Sequence, residues 1–286
     1  MINYNVDSDG IATITWDMPN RAMNVLNEAS MTAYAGALET ALKDEKVKGI
    51  IITSGKDSFI AGADLEMILS LDTSDASKLM EQFSQLQRMF RQQETGGKPI
   101  VAAINGTALG GGFEICLATH YRIAAANPKT KVGQPEVKIG LLPGGGGTQR
   151  IPRLIGVQNA APILLEGKDL TVDAAKSLGL IHEVVPAGEL LAKAKAWLMA
   201  PATEQVVPEY AGKGAKAIDG RAVQPWDRKG FKVPGFPGGQ VWSPPGVMTF
   251  IGGSAMIRGK TNGVYPAPKA IMSCVYDCLL YTSRRG

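Results

Sequence analysis

The stretch that decides the fold is residues 101–114, which read VAAINGTALGGGFE. Its first half is a short apolar run typical of a buried strand, and a helical pattern begins after the glycines at 110–112. A strand that leads through a glycine-rich turn into a helix aims free backbone N–H groups and the positive end of the helix dipole at one point. The turn is therefore a candidate anion site, although glycine would also serve close packing of the helix on the strand.

Two nucleotide-binding patterns fail at this turn. Ile115 stands where the dinucleotide fingerprint needs its third glycine, and no GxxxxGK[ST] motif occurs in the chain. We therefore expect neither NAD nor another cofactor. The three cysteines and two histidines make neither a disulfide framework nor a credible zinc set, so no metal is expected.

Strand and helix patterns alternate on both sides of residues 101–114. Strands are predicted over 2–6, 11–16, 47–52, 99–104, 121–126 and 180–185. Helices are predicted over 28–44, 76–91, 113–118, 159–166, 172–178 and 188–198. Such alternation is typical of an α/β fold with crossover connections.

Charge and composition divide the chain near residue 200. Residues 1–200 carry 19 Lys and Arg against 21 Asp and Glu, whereas residues 201–286 carry 11 against 5 and are rich in Pro and Gly. We predict a catalytic domain over 1–200 followed by an extended interdomain linker over 201–286. A nucleic-acid partner is not expected, because the segment 1–200 is slightly acidic.

The sequence also predicts a cytoplasmic protein. No apolar run approaches the roughly 20 residues that span a bilayer, and the N-terminus lacks the features of a secretory signal.

Two glutamates are candidate acid–base groups. Glu114 lies in the first turn of a mostly apolar helix, where burial is costly unless the carboxylate is bonded or used. Glu136 lies in the segment GQPEVKIG, ahead of a second glycine-rich turn. Taken singly, Glu114 could be a helix-dipole partner and Glu136 a solvated loop acid. Together with N–H donors, they would suit proton transfer next to a carbonyl.

A third segment, residues 58–65 with the sequence SFIAGADL, follows the strand over 47–52. Its small residues at 61–63 would let a ligand approach the backbone, so the loop could supply a second N–H donor. The alternative is a plain strand–helix connection in which Asp64 caps the helix.

These strings, together with GGGTQR at 145–150, closely resemble the enoyl-CoA hydratase/isomerase (crotonase) family over about residues 5–200. The resemblance implies a spiral of ββα turns whose active site binds acyl-CoA thioesters. It implies that the N–H groups of Ala63 and Gly111 hold the thioester oxygen and that Glu114 and Glu136 are the catalytic glutamates. The substrate-binding residues that it implies are Ala61, Asp64, Leu65 and Gly110.

The implied reaction is addition of water across the C2=C3 bond of a trans-2-enoyl-CoA in fatty-acid β-oxidation. Movement of a double bond from C3 to C2, which family members perform mainly with the second glutamate, would be a companion activity. Two alternatives stay open. The oxyanion hole could serve thioester hydrolysis or dehalogenation, or the chain could be a non-catalytic acyl-CoA-binding or assembly fragment.

Beyond residue 200, the segments QPWDRKGFKVPG at 224–235 and YPAPKAI at 265–271 resemble the region after the hydratase domain in multifunctional fatty-acid oxidation proteins. That resemblance implies an NAD-dependent 3-hydroxyacyl-CoA dehydrogenase as the next domain and a thiolase subunit as a partner. Residues 278–286 do not resemble the continuation. We therefore expect a truncated hydratase half with a non-native end, and hexamer-forming C-terminal helices are not recognisable.

Overall fold

The computed structural model describes residues 1–71, 74–212 and 214–283. Its strands are β1 Ile2–Val6, β2 Ile11–Trp16, β3 Gly49–Ser54, β4 Ile100–Ile104, β5 Ala108–Leu109, β6 Tyr121–Ala125, β7 Lys131–Gly133, β8 Leu170–Thr171, β9 Glu183–Val185, β10 Gln205–Val206 and β11 Ile218–Asp219. Its α-helices are α1 Glu28–Lys43, α2 Leu65–Leu69, α3 Ala76–Thr95, α4 Gly111–Leu117, α5 Gly147–Leu165, α6 Val172–Leu178, α7 Leu190–Met199, α8 Pro244–Thr261 and α9 Pro266–Ser283.

Two sheets organise the segment 1–200. In the described ranges the main sheet has the order β1-β2-β3-β4-β6-β9, and only the β1–β2 hairpin is antiparallel. A smaller sheet has the order β5-β7-β8. Two passes of the chain, β4-β5-α4 and β6-β7 followed by α5, lay one strand in the main sheet and a short one in the second sheet ahead of a helix. The predicted spiral of ββα turns is confirmed.

Burial of the main sheet on both faces explains the apolar runs of the sequence. One face, which carries Ile50, Ile52 and Ile104, packs on the helices that surround the site. The opposite face, which carries Ile51 and Val101, packs on α7. Strands with only one covered face would alternate with polar residues instead.

The helix predicted over 159–166 is longer in the structure. Helix α5 begins at Gly147 and breaks at Gly156, whose φ of +78° lies in the left-handed region. Pro152 and Pro162 both lie within it. Glycine and proline are normally read as loop signals, and here they obscured a helix that tertiary packing stabilises.

The prediction that residues 201–286 form an extended linker is wrong for residues 244–261 and 266–283, which form α8 and α9. The Ser243 side chain accepts a hydrogen bond from the Gly246 N–H, and two prolines occupy the first positions of α8. Proline at the first helical position is favourable, so Ser-Pro-Pro starts a helix rather than a linker. Helix α9 packs along α5 and buries Ile271 and Val275.

Residues 201–243 contain only short strands and 3₁₀ turns among the described positions. The domain boundary at residue 200 stays a prediction. No helix in the described ranges combines the length and apolar character that crossing a bilayer requires.

Candidate active site

The turn from β5 into α4 depends on glycine at two positions. Gly110 has φ +53° and ψ −131°, a conformation that L side chains rarely adopt. At Gly112 an added Cβ would lie 2.4 Å from the carbonyl oxygen of Ile60. The glycine-rich turn therefore serves close packing, as the structural alternative predicted, and it also sets the direction of α4.

Glu114 is 2% exposed, and two backbone N–H groups hold its carboxylate. Gly145 donates to Oε2 at 2.9 Å and Gly147 donates to Oε1 at 2.7 Å. Burial raises the pKa of Glu114, while these hydrogen bonds and the positive charge of Arg150 oppose that shift. The carboxylate is thus buried with hydrogen-bond partners and is fixed in orientation.

Glu136 lies in a 3₁₀ helix, Pro135–Ile139, after β7. Burial, followed by the negative charge of Glu114, raises the pKa of Glu136 to about 8. The amide of Gln134, with its nitrogen toward Glu136, lies 3.0 and 3.1 Å from the two carboxylate oxygens. Burial and the charge of Glu114 therefore both favour the protonated form of Glu136.

The structure brings the two glutamates together around the α4 turn. A Cβ on Gly110 would lie 3.0 Å from Glu136 Oε1, and one on Gly111 would lie 3.9 Å from Glu114 Oε2. Two adjacent glycines are thus each flanked by one carboxylate. The sequence alone could not show that these segments meet.

The loop at 61–64 runs beside the same turn. Leu109 donates to the Ile60 carbonyl, and a Cβ on Gly110 would lie 3.7 Å from Gly62 Cα. Leu26 joins the two segments, because it pairs with Ala63 and its Cδ1 would lie 2.4 Å from a Cβ on Gly111. Ala63 and Gly111 are therefore neighbours across Leu26.

Two backbone N–H groups at this meeting point are free to donate. Within the described residues no protein acceptor takes up the N–H of Ala63 or Gly111. The nearby amides of Ala61, Asp64 and Gly110 all donate to backbone carbonyls. Ala63 and Gly111 are only partly buried, so both N–H groups are candidates for a ligand oxygen.

The remaining predicted substrate-binding residues have structural roles. Ala61 N–H donates to the Asn24 carbonyl at 2.9 Å. Asp64 caps α2 by accepting from Glu66 N–H and forms an ion pair with Arg21 at 3.0 Å. Leu65 is 57% exposed. Substrate contact at Ala61, Asp64, Leu65 and Gly110 stays a prediction.

Sequence reasoning missed the residues that orient the glutamates. Gly145 and Gly147 occur in the GGGTQR string, but nothing in that string shows that their N–H groups face Glu114. The polar pattern of α3 likewise does not single out the buried Glu94, which receives a 2.6 Å hydrogen bond from Arg150. These contacts join residues far apart in the chain, so local patterns carry no signal for them.

A cleft of about 1240 Å³ adjoins the glycine loop 144–146. Its walls come from α3, α5, α9 and the segment 226–231. Its apolar lining includes Met80, Phe83, Leu142, Phe231, Ala267 and Ala270. Within the described ranges no group of three or more His, Cys, Asp or Glu residues is arranged to hold a metal ion.

A spiral of ββα turns that sets two carboxylates beside two free N–H groups defines the crotonase class of fold and site. The enoyl-CoA hydratase/isomerase profile matches residues 7–207. The chain belongs to the enoyl-CoA hydratase/isomerase family. The family membership that the sequence motifs predicted is therefore confirmed.

Relatives and solved structures agree with this assignment. The chain is 37% identical over 274 residues to the fatty acid oxidation complex subunit alpha of Shewanella halifaxensis, covering 96% of the chain and 35% of that protein. It is 45% identical over 188 residues to the subunit of the same name from Idiomarina loihiensis, covering 65% of the chain and 26% of that protein. The chain thus spans about a third or less of the length of these relatives.

Enoyl-CoA hydratase from Bacillus anthracis superposes with a TM-score of 0.63 at 31% identity, covering 69% of this chain and 74% of that one. Enoyl-CoA hydratase from Thermoplasma volcanium gives a TM-score of 0.63 at 27% identity, covering 70% and 78%.

Proposed function

We propose that the chain is an enoyl-CoA hydratase of fatty-acid β-oxidation that adds water across the C2=C3 bond of a trans-2-enoyl-CoA. The observation that carries the proposal is the meeting of Glu114 and Glu136 at a turn with two free backbone N–H groups. The names of the relatives, which refer to fatty acid oxidation and to enoyl-CoA hydratase, support the substrate class.

The chemistry begins at the thioester. Attack of water oxygen on C3 moves the electron pair of the double bond toward C2 and places negative charge on the thioester oxygen. The N–H groups of Ala63 and Gly111 would stabilise this enolate oxygen, because preorganised donors gain most where charge develops. In other enzymes, loss of one such donor costs about 3 to 4 kcal/mol in the transition state.

The two carboxyl groups divide the proton transfers. Glu114, fixed by two backbone donors, accepts in its ionised form a proton from water as the oxygen attacks C3. Glu136, with its raised pKa, delivers its proton to C2 and completes the addition. Loss of the proton from Glu114 and its return to Glu136 through solvent restore the starting state. Unequal environments for two neighbouring carboxyl groups are the usual way in which a site assigns one acid and one base.

The proposal is tested by assaying hydration of crotonyl-CoA, which is measured as the loss of the enoyl absorbance. Turnover would support an enzyme, whereas tight binding of CoA ligands in calorimetry without turnover would favour the non-catalytic alternative. Release of free CoA would indicate thioester hydrolysis instead.

A companion isomerase activity is the second candidate, and the raised pKa of Glu136 favours it, because the group must act first as a base and then as an acid. Moving a double bond from C3=C4 to C2=C3 needs one group that removes a proton from C2 and returns it to C4. Glu136 has the pKa for such a shuttle, and the N–H pair would stabilise the same enolate. A cytoplasmic location and a thiolase partner stay predictions.

Hydration should follow a bell-shaped pH profile. Burial and the charge of Glu114 raise the pKa of Glu136 to about 8, so the acid form is lost and kcat/KM falls as pH rises through about 8. Burial also raises the pKa of Glu114, so the base is lost on the acid side at a pH above the ordinary carboxylate range. The two steps belong to the interacting pair. Steady-state kinetics with crotonyl-CoA check the profile, and an unchanged rate across pH 8 would contradict the proton-donor role of Glu136.

We propose that the apolar wall of the cleft beside the loop 144–146, which includes Phe83, Ala267 and Ala270, receives the acyl chain, whereas Arg91, Glu94, Arg150 and Asp227 line its charged side. Ala270→Phe should fill part of this cleft and lower kcat/KM for a decenoyl-CoA by about 10-fold or more, with crotonyl-CoA little affected. Ala255→Phe places the same side chain on the exposed surface of α8, outside the cleft, and is the matched control. Equal loss with both substrates would place the acyl chain elsewhere.

A further inference from the structure

Arg150 links the glycine loop to the charged side of α3. Its Nη1 donates to the Gly145 carbonyl at 2.7 Å, and its Nε donates to Glu94 Oε1 at 2.6 Å. The side chains of Arg150 and Glu94 are only 9% and 2% exposed. A buried ion pair with several hydrogen bonds is costly to break, because removal of one partner leaves the other charge uncompensated.

The chain of ion pairs continues to residue 227. Arg91 Nη1 donates to Glu94 Oε2 at 2.9 Å. The same guanidinium makes a two-point contact with Asp227, at 2.7 Å and 2.6 Å. Asp227 lies 136 positions away in sequence, in the segment after residue 200, and its side chain is 8% exposed.

The position of the Arg150 contact matters for Glu114. The two donors to Glu114 belong to the peptide groups 144–145 and 146–147. Arg150 holds the carbonyl of the peptide group between them. Gly145 and Gly146 have no side chains to restrict their dihedrals, so this contact restrains the relative orientation of the two donors, together with the hydrogen bonds that the Gly144 and Gly146 carbonyls accept.

We propose that Arg150, Glu94, Arg91 and Asp227 form a positioning network that holds the Glu114 carboxylate in its hydration geometry through the peptide group after Gly145. The inference rests on the proposed function, because it assigns the network to the base of that reaction. Asp227 thereby connects the segment 201–286 to the chemistry of the segment 1–200. None of the four is proposed to touch the reacting atoms.

The network makes a prediction that a general stabilising role does not. Hydration requires an oriented Glu114, whereas double-bond movement depends mainly on Glu136. Weakening the network should therefore lower hydration far more than isomerisation. Loss of overall stability would lower both reactions together.

The experiment measures hydration and Δ3-Δ2 isomerisation in folded Arg150→Lys and Asp227→Asn proteins. Arg150→Lys keeps the positive charge but loses the guanidinium geometry that lets one side chain contact both Glu94 and the Gly145 carbonyl. We therefore expect kcat for hydration to fall about 10- to 100-fold. Asp227→Asn, at the far end of the network, should lower it about 2- to 30-fold. KM should stay within about a factor of two in both variants, while isomerisation changes far less than hydration.

Lys260→Gln is the matched control. It removes another ion pair between the segments 201–286 and 1–200, the one with Glu166, without reaching the glycine loop. It should leave both activities unchanged.

A second readout is the acid limb of the hydration pH profile. In Arg150→Lys, weaker N–H donation to Glu114 should raise the pKa of that carboxyl and move the limb to higher pH. Equal losses of both reactions, unchanged hydration, or an unmoved acid limb in folded Arg150→Lys would overturn the inference. Absence of hydration in the unmodified chain would instead reject the proposed function itself.

Discussion

Replacement of Glu114 by Gln should lower kcat for hydration of crotonyl-CoA by about 100- to 10 000-fold, the range that a positioned general base supplies. A carboxamide cannot accept the proton of the attacking water. Isomerisation should persist at a substantial fraction of its original rate, because it depends mainly on Glu136. Stopped-flow or steady-state assays of both reactions on one preparation measure the ratio directly.

The structure indicates why the folding of this variant must be checked. Gly145 and Gly147 both donate to the Glu114 carboxylate, and a Gln amide can accept only through its oxygen. One buried N–H would be left without an acceptor, at a cost of about 1 to 3 kcal/mol in the free energy of unfolding. A thermal unfolding curve establishes that the variant is native at the assay temperature. Near-normal hydration by a folded Glu114→Gln protein would reject the assignment of the base.

Replacement of Glu136 by Gln should abolish both reactions to a similar degree, again by about 100- to 10 000-fold. The carboxamide imitates the shape and charge of protonated Glu136 but has no proton to give to C2. Binding should survive, so KM or the dissociation constant of a CoA product should change little. The activity lost with Glu114→Gln is hydration alone, and this difference separates the two roles.

The Glu136→Gln protein should be at least as stable as the original. It removes a carboxyl group whose ionisation is opposed by burial and by Glu114, and it leaves the Glu114 donors in place. Glu189→Gln, at an exposed position before α7, is the control for loss of a carboxylate far from the site. Hydration that survives in Glu136→Gln would mean that another group protonates C2.

The sequence predicts the strands of the main sheet and singles out Glu114 for identifiable reasons. Strands buried on both faces read as unbroken apolar runs, as in IVAAI of β4. Glu114 stands out because a carboxylate in an apolar helix requires a bonded partner or a use. The turn at 110–112 is recognisable because a positive φ selects glycine.

Other parts of the fold could not be predicted, because their stability comes from contacts distant in sequence. The first half of α5 begins in a run of glycines, and α8 begins with two prolines, so local propensity argues against both helices. The hydrogen bonds to Glu114 come from residues 31 and 33 positions away. Such contacts follow from the stacking of turns and leave no mark on any short window of sequence.

That stacking has a consequence for how the protein can fail. Ala63 follows β3, Gly111 and Glu114 follow β5, and Glu136 follows β7, so the candidate residues come from three different turns of the spiral. No single turn contains a working half-site, so a partly folded chain has no partial activity, and loss of function should coincide with loss of the β5–β7 pairing. A one-residue slip in the β5–β7 pairing would displace Gly111 and Glu114 relative to Glu136.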